Sequence, residues 1–157
     1  MIAGMDVAAK LAELGWKLPE PPKPVGAYLP AVRSGNLLFV SGQLPMSGGK
    51  LTAEGAVPSA ASVESAQKAA GQCVVNALAI VAAELGGKWE RIVRVVRIGV
   101  FVQSDGDFRD QAKVANGASE LLQAIFADAG KHARAAVGAA ALPLNASVEI
   151  EFIFEIR

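Results

Sequence analysis

Arg134 stands at the head of an otherwise apolar run, Ala135 to Pro143, which leads into the alternating stretch Val148-Glu149-Ile150-Glu151-Phe152-Ile153-Phe154. An arginine on a half-buried strand keeps its proton, and its planar fork matches a carboxylate through two parallel hydrogen bonds. Either the protein or a small ligand must supply that anion. Read as a buried hairpin with its turn near Pro143 to Ala146, the two stretches set Arg134 opposite Phe154 and Glu149 opposite Ala139, about five residues or ~17 Å apart along the ladder. Arg134 and Glu149 then cannot meet within one chain. Joint action on a ligand requires a second copy, which points to a homo-oligomer with interfacial sites. The competing reading is an ordinary ion pair for Arg134.

Ser41-Gly42-Gln43 ends a predicted strand with backbone N–H groups and a hydroxyl that no bulky side chain shields, a corner able to hold an anion or a carbonyl oxygen. A strand end that needs glycine for its turn explains the same residues. Tyr28 and Asn116 are polar candidates of equal ambiguity. His132, the single histidine, is read as a solvated loop residue, and its lone status removes any two-histidine metal motif. Cys73, the single cysteine, falls in the apolar stripe of a helix, where a thiol behaves as a small buried hydrophobe, and no disulfide or multi-cysteine metal site is available. Gly48-Gly49-Lys50 and Gly86-Gly87-Lys88 lack the Ser or Thr and the upstream glycine of a phosphate loop. Arg94 and Arg97 on a regular strand point to opposite faces, which weakens an RNA-binding stripe. Asn145-Ala146-Ser147 matches a glycosylation acceptor, incidental without a secretory signal.

These residues need elements to carry them. Asp6 caps a short helix with Val7, Leu11 and Leu14 on one stripe and Gly15 as its stop. Pro19, Pro21, Pro22 and Pro24 enforce an extended arm leading to Gly26-Ala27-Tyr28. Two short strands, Leu29 to Val32 and Leu37 to Val40, flank a turn at Arg33-Ser34-Gly35-Asn36. Met46 to Ala61 reads as a loop. Ser62 caps a long helix with the stripe Ala66, Ala70, Cys73, Ala77, Ile80, Val81 and Leu85, ended by Gly86-Gly87. Val93 to Val102 is a β-branched strand. A second long helix carries Phe108, Ala112, Ala115, Leu122, Ile125 and Phe126 and closes at Gly130. With the terminal hairpin the order is β-β-α-β-α-β-β, a two-layer α/β sandwich of the α+β class.

At 157 residues the chain is one domain by length, large enough to bury roughly 70% of its unfolded surface without disulfides. Fifteen basic and fifteen acidic residues cancel, so no global field draws in polyanions, and nucleic acid is a disfavoured partner. Hydrophobic residues make up 52% of the chain, much of it alanine, yet no uncharged apolar stretch reaches the ~18 residues of a membrane span. Asp6, Lys10 and Glu13 break any apolar signal core, and the protein is expected to be cytoplasmic. The surplus of small apolar side chains suggests surface hidden by self-association.

Taken in order, Gly26-Ala27-Tyr28, Ser34-Gly35-Asn36, Phe39-Val40-Ser41-Gly42-Gln43, Asn76, Asp107-Phe108, Asn116, Ala133-Arg134, Leu142-Pro143 and Val148-Glu149-Ile150-Glu151 resemble the Rid family, also called YjgF or liver perchloric-acid-soluble protein. The likeness runs from about Val25 to Arg157, which makes 25–157 the Rid-like domain and 1–24 an added helix and arm. It implies a chorismate-mutase-like fold, a mixed sheet with two long helices on one face, assembled as a homotrimer with ligand clefts between subunits. It also implies hydrolytic deamination of reactive 2-imino and enamino acids, 2-aminoacrylate among them, to 2-keto acids and ammonia, with no metal or organic cofactor. Carried over by position, Arg134 grips the substrate carboxylate and Ser41 and Gly42 touch it from the strand end. Tyr28, Asn116 and Glu149 line the cleft, Glu149 handling the attacking water. Ala136 stands where many deaminases of the family have cysteine, Gly26-Ala27-Tyr28 replaces Gly-Pro-Tyr, and the segment from Asp107 to Asn116 is longer than usual. A 2-keto or amino acid binding module without turnover is the alternative. The family's endoribonuclease and translation-inhibitor label finds less support, since charge is balanced and no histidine pair is present.

Overall fold

A computed structural model describes residues 4–23 and 26–157; Pro24 of the predicted arm and Val25, where the resemblance begins, lie outside the described residues. Helix boundaries follow from local chemistry. Helix α1 is Val7–Glu13, with Asp6 Oδ1 accepting the Ala9 N–H. The predicted strands become β1 (Ala31–Ser34) and β2 (Leu37–Gln43), paired antiparallel with Ser34 opposite Leu37 around Gly35-Asn36. Where a loop is expected, Met46–Ser47 (β3) and Lys50–Leu51 (β4) form a small separate ribbon. Gly48 and Gly49 both have positive φ, the geometry a tight two-residue turn requires.

Helix α2 (Val63–Leu85) is capped by the Ser62 hydroxyl, which accepts from Ser65 N–H, and ends at Gly86 in the left-handed conformation. By length and apolarity α2 passes for a membrane span, but most of it is buried inside the fold, as in a core helix. Strand β5 (Ile92–Gln103) is followed by α3 (Gln111–Phe126), then β6 (Ala133–Ala139) and β7 (Val148–Ile156). Phe108 falls before α3 and Ala112 faces solvent, so the buried stripe is instead Val114, Ala115, Ala118, Ser119, Leu121, Leu122, Ile125 and Phe126.

The main sheet runs β1-β2-β7-β5-β6, and this order overturns the terminal hairpin. β6 and β7 are not neighbours, because β5 lies between them, parallel to β6 and antiparallel to β7. The physical reason is the crossover. A strand followed by a helix returns parallel beside itself, so β6 takes one edge of β5 through α3 and leaves the other edge for β7. Val148, Ile150, Phe152, Phe154 and Ile156 of β7 point into the core beneath α2 and α3, and the alternate residues lie on the open face. Irregularities in β5 around Arg94 and Val95/Arg97 also correct the expected split of Arg94 and Arg97. They register against Glu155 and Ile153, which share one face of β7.

The N-terminal segment packs on the helix layer. Val7 and Leu11 are fully buried, and the Trp16 ring occupies the space a side chain at Gly71 of α2 would need. Cys73 is buried as expected, and burial, with the Glu149 charge second, pushes its thiol well above the ordinary range.

Candidate functional site

The six candidate residues separate into two groups. The first gathers around Arg134 on the edge strand β6. Arg134 registers with buried Ile98 of β5 and so leans toward α3, whose Asn116 and Ser119, one turn apart, face it. Arg134 Nη1 donates to Asn116 Oδ1 at 2.8 Å and to Ser119 Oγ at 3.1 Å. Its Nε and Nη2 make no hydrogen bond among the described residues. No carboxylate stands within ion-pair distance of it there either, so the ordinary ion pair is not made. The guanidinium is thereby held by one nitrogen, with a two-donor edge left to receive an anion.

His132 belongs to this group, contrary to the solvated-loop reading. It is half-buried, with Nδ1 2.6 Å from Gly130 O and Nε2 3.0 Å from Ser119 Oγ. The recess these side chains line, with Glu120, Gln123 and Lys131, measures about 440 Å³. Ser119 is the residue that sequence reasoning missed. Its signal is the spacing of three from Asn116, which sets both on the face of α3 turned to β6.

The second group lies at the β2–β7 pairing. Val40 pairs with Phe152 and Gln43 with Ile150, so Ser41 and Gly42 together oppose Glu151, a β-bulge. The bulge brings Gly42 against Glu149, and a Cβ at Gly42 would overlap Glu149 Oε1. Glu149 is partly buried, and that burial, with the like charge of Glu151 second, raises its carboxyl above the ordinary range. Glu151 is itself paired with Arg97 at 3.1 Å. Ser41 is not a bare corner. Its hydroxyl donates to Leu29 O at 2.7 Å and its N–H to Pro30 O at 2.9 Å, which ties down the arm that carries Tyr28. Tyr28 is half exposed and shares a small cavity of about 160 Å³ with Gly42, Gln43 and Leu144.

The two groups are on opposite faces of the sheet. Glu149 registers with Phe101, which registers with Val137, three residues along β6 from Arg134 and on the open side. That open side carries two apolar rows, Val32-Phe39-Ile153 and Val137-Phe101, and Val32, Phe39, Phe101 and Val137 are substantially exposed. Among the described residues no group of three or more His, Cys, Asp or Glu gathers as a metal site.

A mixed sheet backed by two helices, with a tethered arginine at one edge and a glutamate beside a bulge at its centre, defines a small α+β protein. Residues 19–156 match the family described as Endoribonuclease L-PSP, and the chain belongs to that family, which includes the YjgF, RutC and Rid proteins. It is 42% identical to Protein TCP17 of Trypanosoma cruzi over 100% of this chain and 98% of that protein. It is 33% identical to a 2-iminobutanoate/2-iminopropanoate deaminase of Dermatophagoides farinae, covering 88% of this chain and 93% of the other. A crystal structure of a protein of unknown function from Agrobacterium tumefaciens is similar at TM-score 0.91 and 48% identity, over 96% of this chain and 92% of that one. E. coli TdcF with bound serine is similar at TM-score 0.64 and 26% identity, over 88% and 94%.

Proposed function

We propose that the protein hydrolyses 2-imino acids and their enamine tautomers to 2-keto acids and ammonia, in clefts completed by a second copy of the chain. The observation that carries this reading is Arg134, a fixed cation with one nitrogen tethered and a two-donor edge without a carboxylate partner among the described residues. The deaminase name of the mite relative and the serine bound to TdcF both concern small carboxylate-bearing molecules, which supports that ligand class.

The chemistry asks for little. An imine carbon is already electrophilic, so fixing its carboxylate on Arg134 and orienting one water supplies mainly proximity. The water oxygen bonds to that carbon while Glu149 takes a proton, forming a carbinolamine. The proton then passes to the nitrogen, the C–N bond breaks, ammonia leaves, and the hydroxyl loses its proton to become the keto oxygen. A carboxyl raised above the ordinary range is the stronger base for this step, and such assistance is worth about 10²–10⁴-fold. Because Arg134 and Glu149 face opposite sides of one sheet, the cleft takes one from each of two subunits. The exposed apolar rows of the open face are the surface such an assembly covers, and a homotrimer of chorismate-mutase-like domains is the arrangement we favour.

The test is release of 2-keto acid from 2-iminopropionate and 2-iminobutyrate, generated in place by an amino-acid oxidase beside a competing trap. Native protein should accelerate release and Arg134→Ala should lose the effect. Folded native protein that gives no acceleration, yet binds 2-oxobutyrate through Arg134, would identify a binding module instead.

A further inference from the structure

The hydrogen bonds behind Arg134 run in a single direction. A carbonyl only accepts, so the 2.6 Å contact with Gly130 O places the His132 proton on Nδ1. Nε2 of the neutral ring is then an acceptor, and Ser119 Oγ, 3.0 Å away, donates to it. With its proton so engaged, Oγ turns a lone pair toward Arg134 Nη1, 3.1 Å distant, which can only donate. Asn116 Oδ1 takes the other Nη1 hydrogen.

We propose that Ser119 and His132 are positioning residues, a polar relay that holds the Arg134 guanidinium so that its Nε and Nη2 edge meets the carboxylate of the substrate. This rests on the reading of Arg134 as the carboxylate anchor. Ser119 is almost fully buried, and its hydroxyl lies within hydrogen-bond distance of both His132 and Arg134, so His132 sets its orientation. A protonated His132 would present an N–H to the same oxygen that Arg134 donates to, and would add a second cation beside the guanidinium. The charged groups around the imidazole are Glu120 from α3, Lys131, which is paired with Asp128 at 2.7 Å, Arg134 from β6, and Arg94 of β5, which donates to Lys131 O. Burial is the chief influence lowering the imidazole pKa, and the Arg134 charge adds to it. The Gly130 carbonyl acts the other way.

Because His132 is the single histidine, its nitrogen resonances in ¹⁵N-labelled protein are assigned without further work. The relay predicts the Nδ1–H tautomer at pH 7.5, a titration midpoint below the ordinary imidazole value, and an upward move of that midpoint in Arg134→Ala. In the 2-iminobutyrate assay, Ser119→Ala and His132→Phe should raise KM about fivefold, the worth of one hydrogen bond of about 1 kcal/mol, with kcat little changed. Ser119→Thr, which keeps the hydroxyl, should restore KM. An Nε2–H tautomer, or a midpoint indifferent to Arg134→Ala, overturns the relay. So does an unchanged KM in Ser119→Ala and His132→Phe while Arg134→Ala loses turnover. If turnover survives Arg134→Ala, the deaminase reading itself falls, and the nitrogen spectra alone decide whether the relay holds the guanidinium.

Discussion

Arg134 and Glu149 project from opposite faces of one sheet, on strands separated by β5 and three positions out of register. In the cleft we propose, the two residues therefore come from two chains, and each chain would contribute two different half-sites. Arg134→Ala and Glu149→Gln proteins, each inactive alone, should regain activity when mixed and reassembled. With random mixing in a closed ring, about one interface in four pairs an intact arginine with an intact glutamate, so about a quarter of native activity should return. Mixtures no more active than their components would show that both residues act within one chain or that one of them is dispensable.

Gly42 sits where a side chain would collide with the Glu149 carboxylate. The obstacle is the end of a flexible side chain, so Gly42→Ala should fold and displace the carboxylate rather than the strand. The expected result is a fall in kcat of tenfold or more, within the range assigned to acid–base assistance, with melting temperature nearly unchanged. A melting temperature that collapses with activity would trace the effect to the bulge instead.

The helices are legible in the sequence because their signals are local. Ser62 and Gly86 carry the caps of α2 in their own chemistry, and α3 and β5 fall within a few residues of expectation. The position of β7 is not legible in the same way. β6 and β7 are consecutive and apolar, and only the parallel return of β6 beside β5 through α3 shows that they are separated. The separation of Arg134 from Glu149 survives that error, since opposite faces keep them apart as firmly as a register offset. The part we propose for His132 depends on Ser119, whose helical spacing sets it on the inward face of α3 but gives no sign that His132, thirteen residues on, folds back against it.

Glu149 offers a test with a definite sign. Its carboxyl is raised in the folded state by burial and by Glu151, so the folded protein holds this proton more tightly than the unfolded chain does. Stability from this group is full below the ordinary carboxylate range and declines as pH rises through the raised value. Glu149→Gln should therefore melt at higher temperature than native protein at pH 7, with the difference shrinking toward pH 4. Deamination by native protein should fall as acid protonates Glu149, at a pH above that of an ordinary glutamate. A variant that melts lower than native at pH 7 would mean the ionised carboxylate is held by bonds that offset its burial.

Trp16 links the N-terminal helix to the helix layer through one small residue. The Trp16 ring lies where a side chain at Gly71 would stand, with Leu121 of α3 alongside, and the chain runs on from it past Pro19 and Pro22 toward the arm that ends at Tyr28. Gly71→Leu would improve intrinsic helix propensity by up to about 1 kcal/mol, yet it fills the seat of the indole. In a Trp89→Phe background, which leaves Trp16 as the single tryptophan, this substitution should shift fluorescence emission to the red as the ring enters water. Because Ser41 holds the arm near Tyr28 independently, through Leu29 and Pro30, deamination should weaken by less than tenfold rather than vanish. Unshifted emission would show that the ring finds another apolar seat. Complete loss of activity with α2 and α3 intact by circular dichroism would show that the anchored helix, and not Ser41, sets the position of Tyr28.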